Sequence, residues 1–63
     1  MNDIYAQIAK NYDAMSKTHK KIADYILKNP VAASFFTVAK LASQAGVSEA
    51  SIIRFANFLG FTG

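Results

Sequence analysis

Apolar residues recur along this chain at intervals of three and four, the period of a helix that buries one face. Ile4, Ile8, Tyr12 and Met15 make the first such stripe. They predict a helix that begins after Asn2 or Asp3, either of which can cap it, and runs to about Ala14. Ser16 reads as the cap of a second helix, with Ile22, Ala23, Ile26 and Leu27 on its inner side and Lys20, Lys21, Asp24 and Lys28 turned outward. Asn29-Pro30 stops it. Pro30, with a fixed φ and no N–H, suits the first position of a short turn through Ser34. The aromatic pair that follows, Phe35 and Phe36, reads as core packing.

The second half of the chain is more specific. Thr37 caps a third helix over Val38 to Ala45, which Gly46 ends by supplying a left-handed conformation. Ser48 caps a fourth helix after only Gly46 and Val47. So short a link forces a steep crossing, and a steep crossing demands a small residue at the point of approach, flanked by larger apolar anchors. Ala42 occupies that point, with Leu41, Ala45, Val47, Ile52 and Phe55 around it. At about 100° per residue, Ile52, Phe55, Ala56 and Leu59 share the inner side of the fourth helix. Ala50, Ile53, Arg54 and Asn57 share the outer side, and Ser48, Glu49 and Ser51 lie near its N-terminal tip. Alternating β-branched runs and Asn-Gly or Asp-Gly turns are missing, so the pattern predicts an all-α fold: a small helical bundle with a helix-turn-helix, a homeodomain-like three-helix core and an extra N-terminal helix.

Composition narrows the class without changing the fold. A chain of 63 residues is one small domain that buries only about 60% of the surface of its unfolded form. It has no cysteine, which removes disulfides and thiolate metal sites and suits a reducing cytoplasm. No apolar run approaches the roughly 20 residues of a membrane span, and Asp3, Lys10 and Asp13 interrupt any signal-peptide pattern. The net charge of +3 suits an anionic partner. Its lysines concentrate in the first half, at Lys10, Lys17, Lys20, Lys21 and Lys28, whereas the second half carries only Lys40 and Arg54 against Glu49.

The candidate chemistry is that of double-stranded DNA. A major groove admits one α-helix and shows a distinct donor and acceptor pattern for each base pair. Over about Glu49 to Leu59, Arg54 can read guanine or clamp a phosphate, and Asn57 can pair with adenine or meet the backbone. Ile53 can touch a thymine methyl, Glu49 can accept from a cytosine amino group, and Ala50 permits close approach. Ser51 shares the tip. Thr37 and Ser48 open helices whose free N–H groups favour a phosphate, with Lys40 assisting. Each has a plainer role as well, since caps stabilise helices without DNA and an acid in the first turn suits the helix dipole. The alternative is a helical protein-interaction or dimerisation module, in which Ile53 and Phe58 dock a partner helix. An enzyme is not expected: His19 is the single histidine and reads as a solvated residue among lysines, which leaves no catalytic cluster, cofactor site or metal-ligand set.

Taken in order, Lys21-Ile22-Ala23-Asp24-Tyr25-Ile26-Leu27-Lys28-Asn29-Pro30, Leu41-Ala42, Gly46-Val47-Ser48-Glu49-Ala50-Ser51-Ile52-Ile53-Arg54-Phe55 and Leu59-Gly60-Phe61 form a series that covers nearly the whole chain. It resembles the N-terminal domain of the RpiR family of transcriptional regulators. The resemblance implies a cytoplasmic homodimer that binds operators near sugar-catabolism genes. It also implies a C-terminal sugar-isomerase-type domain that binds a phosphosugar effector. On that reading residues 1–63 are the helix-turn-helix domain alone, Gly60-Phe61-Thr62-Gly63 precedes a last helix, and effector sensing lies elsewhere. Members of the family often carry basic residues where this chain has Asn57 and Phe58. By angle Phe58 lies nearer the exposed face than the core, so it would pack either on a further helix or in a dimer contact.

Overall fold

A computed structural model describes residues 4–60. The expected caps at Asn2 and Asp3, and the residues after Gly60, lie outside them. Helix α1 spans Ile4–Asn11 and passes into a 3₁₀ turn at Tyr12–Ala14, so the first expected helix is present but tightens over its last three residues. Helix α2 spans Lys17–Lys28, α3 Pro30–Ser34, α4 Val38–Ala45 and α5 Glu49–Phe58. No strand occurs among the described residues.

Local chemistry sets most of these boundaries. The Ser16 hydroxyl accepts the N–H of His19 at 3.2 Å, satisfying one of the free donors at the start of α2. At the other end Asn29 donates both its backbone N–H and its side-chain amide to the carbonyl of Tyr25, at 3.0 and 3.1 Å. Pro30 then begins α3, as its preset φ allows.

The buried core joins Ile8 and Met15 to Ile22, Ala23 and Ile26 of α2, Ala42 of α4, Ile52 and Phe55 of α5, and Leu59. Helix α2 packs on both α4 and α5, which pack on each other. These three are the expected core, and α1 is the added helix, held through Ile8 and through the Tyr5 hydroxyl, which donates to the Pro30 carbonyl at 3.2 Å.

Three expectations about packing are corrected. Phe35 is not core but 81% exposed, because α3 ends one residue before it and directs it away from the bundle. Its neighbour Phe36 is half-buried and stacks on Tyr25, with ring centroids 6.4 Å apart. Leu27 is 43% exposed although Ile26 beside it is buried: at about 100° per residue it falls at the edge of the face that Ile22, Ala23 and Ile26 bury. His19 is not a free surface residue. It is half-buried, with its ring edge-on to Phe55 at 5.6 Å and tilted against Phe58 at 5.5 Å.

Candidate nucleic-acid interface

The site is built around the corner between α4 and α5. Gly46 adopts φ 76° and ψ 35°, and both its N–H and that of Val47 donate to the carbonyl of Ala42, at 2.9 and 3.0 Å. This closes α4 with the paired carbonyl bonds of a left-handed C-cap. Ala42 itself is buried, as a small residue at a close helix approach should be, and Leu41, Ala45 and Val47 pack against the core it belongs to.

Two hydroxyl caps open the two helices. Thr37 Oγ1 accepts the N–H of Lys40 at 3.1 Å, and Ser48 Oγ accepts the N–H of Ser51 at 3.1 Å. Both caps are exposed. The Lys40 ammonium lies over the Phe36 ring, 5.8 Å from its centroid, which holds its charge close to the start of α4.

Helix α5 divides as its period requires. Ile52 and Phe55 are buried, Ala56 is half-buried, and Leu59 just beyond the helix is buried. Glu49, Ala50, Ile53, Arg54 and Asn57 are exposed, and their spacing places them on one outward stripe that leads away from Ser48. Ile53 is 54% exposed, a large apolar side chain turned largely to solvent. Ser51 departs from its expected place at the exposed tip. It is only 9% exposed, and its hydroxyl lies 2.9 Å from that of Ser48. Position N3 of a helix turns inward when the stripe at N2 and N5 faces out, and the hydroxyl of the cap gives the buried oxygen a partner.

This pair of helices, locked by a glycine corner and fronted by an outward stripe on the second, has the form of a helix-turn-helix. A family model described as "Helix-turn-helix domain, rpiR family" matches residues 2–63. The chain belongs to the rpiR family. Its relatives include the uncharacterized HTH-type transcriptional regulator YfhH of Escherichia coli K12, 39% identical over 57 residues, which are 90% of this chain and 20% of that protein. The HTH-type transcriptional regulator HexR of Pseudomonas aeruginosa is 38% identical over 63 residues, all of this chain and 22% of HexR. An uncharacterized HTH-type transcriptional regulator of Caldanaerobacter subterraneus is 40% identical over 63 residues, again 22% of its length. The chain thus spans between 20% and 22% of these relatives. They are regulators by name.

The rpiR-family corner also holds two exposed polar residues that the sequence reading did not single out, Ser43 and Gln44 on the last turn of α4. Their signal was present in the sequence as a polar pair just before Ala45-Gly46. Among the described residues no helix is long and apolar enough to cross a membrane.

Proposed function

We propose that this rpiR-family domain reads an operator by placing α5 in the major groove of duplex DNA, as one half of a homodimer. Arg54 and Asn57 face base edges, with Ile53 against a thymine methyl, Ala50 at the point of closest approach and Glu49 toward a cytosine amino group. Thr37, Lys40 and Ser48 hold phosphates on either side. The observation that carries this reading is the exposed stripe of Ala50, Ile53, Arg54 and Asn57, which begins at a hydroxyl cap on the second helix of the motif. The resemblance to the RpiR family supports the finer statement that the whole protein is a cytoplasmic regulator of bacterial sugar or sugar-phosphate metabolism. Residues 1–63 would then be its N-terminal domain, and a phosphosugar effector would bind a domain outside this chain.

Selection of bound sequences from random duplex DNA with the full-length protein tests the reading. A two-fold-related consensus is expected, with Arg54→Ala relaxing one position in each half. A second reading, that α5 docks a partner helix, draws on the exposure of Ile53 and of Phe58, which is 42% exposed. Binding to DNA that did not weaken with added salt, or that Arg54→Ala left intact, would favour that reading instead.

A further inference from the structure

Ser51 sits behind the proposed contact surface, and its hydroxyl has one hydrogen-bond partner among the described residues, the hydroxyl of Ser48. Either oxygen can be the donor by distance alone. The surroundings decide the direction. If Ser48 donated, the Ser51 proton would be left without an acceptor in a nearly buried place, which is costly for a hydroxyl. If Ser51 donates, every group is satisfied.

The second arrangement has a consequence for Ser48. A serine hydroxyl accepts two hydrogen bonds and donates one. With the Ser51 N–H at 3.1 Å and the Ser51 hydroxyl at 2.9 Å, both acceptor positions of Ser48 Oγ are filled from inside the helix. Its own proton can then point only outward, and Ser48 is exposed. Many helices place a glutamate or glutamine at N3, where it reaches back to the backbone N–H of the cap. Here N3 is a serine, and it reaches the side chain of the cap instead.

We propose that Ser51 is a positioning residue for DNA binding: it fixes the Ser48 hydroxyl as an outward donor aimed at a backbone phosphate. This rests on the reading that the face of α5 meets DNA, and it assigns to Ser51 no DNA contact of its own. A phosphate contact carries no sequence information, so the effect is the same on any duplex.

The test is a double-substitution cycle on the full-length protein with a labelled mixed-sequence duplex, read by fluorescence anisotropy, with Arg54→Ala as a reference. Ser48→Ala is expected to weaken binding about tenfold for each domain engaged, the size of one charge-assisted hydrogen bond. Ser51→Ala is expected to weaken it about threefold to tenfold, and the double variant no more than Ser48→Ala. Ser51→Thr, which keeps the hydroxyl, restores binding. Alanine is the stronger helix former, so the fold persists in S51A. Multiplying losses in the double variant, or a Ser51→Ala protein that binds as tightly as the wild type while Ser48→Ala does not, overturns the positioning role and leaves the DNA reading intact. If the unmodified protein fails to bind the duplex, both fall together.

Discussion

At the scale of single residues, the outward stripe of α5 carries one cation, Arg54, and one anion, Glu49. On the proposed reading, discrimination between bases would fall mainly on Arg54. Its replacement by alanine is expected to weaken operator binding by about 1 to 3 kcal/mol and to relax specificity at one position per half-site, measured by titration of selected against mixed-sequence duplexes. A second prediction concerns Tyr12, whose hydroxyl donates to the Asp24 carboxylate at 2.9 Å. That bond, with burial and the negative charges of Asp24 and Asp13, raises the phenol above its ordinary value of 10.0. A folded-state value above the unfolded one means that the bond contributes in full below the ordinary tyrosine range. Its contribution is lost as pH rises through the folded value. The phenolate absorbance of Tyr12, taken as the difference between wild type and Tyr12→Phe, should rise at lower pH once Asp24→Ala removes the acceptor. An unchanged midpoint would refute the bond. Residue roles of this kind were only partly legible in the sequence. Ser48 announced itself as a cap because capping is local, whereas Ser51 looked like surface because a buried hydroxyl is recognised only through its partner.

At the scale of elements, the caps and the corner of the motif were legible because each depends on a few neighbouring residues. Gly46 shows this most directly. A Cβ built on it meets nothing within 4 Å, so a substitution there is opposed by its φ of 76° alone. Gly46→Ala should cost about 1 kcal/mol, the strain of a left-handed residue with a side chain, and chemical denaturation measures it. Ala42 is the opposite case, a small residue held by packing. Ala42→Leu adds volume where α4 meets α5 and should cost at least about 1 to 3 kcal/mol, lowering the thermal midpoint by about 4 °C or more. What periodicity could not reveal was packing at the ends of elements. Leu27 and Phe35 have the chemistry of core residues, but one stands at the edge of the buried face on the last turn of α2 and the other just beyond α3, and they are 43% and 81% exposed. Phe35→Ala should therefore change stability by about 0.5 kcal/mol or less, whereas Phe55→Ala should cost about 3 to 5 kcal/mol. Equal losses would return Phe35 to the core.

At the scale of the molecule, size and charge together bear on how the domain grips DNA. The described residues extend 24 Å at most, shorter than the roughly 34 Å between the half-sites that a helix-turn-helix dimer spans, so on the proposed reading one such domain would reach one half-site. On the proposed surface only Lys40 and Arg54 can displace counterions, and each displaced counterion contributes about −0.9 to the slope of log affinity against log salt. One domain should therefore show a slope of about −2 and a dimer about −4. The lysines of α2 make this a sharp test. Lys17, Lys21 and Lys28 are exposed, and Lys20 is drawn over the Tyr12 ring, 5.3 Å from its centroid. If that helix also lay along the phosphate backbone, two or three further contacts per domain would steepen the dimer slope to between about −7 and −9. A salt titration of the full-length protein separates the two arrangements, and Lys40→Ala, which should flatten the dimer slope by about 2, ties the shallower one to the corner between α4 and α5.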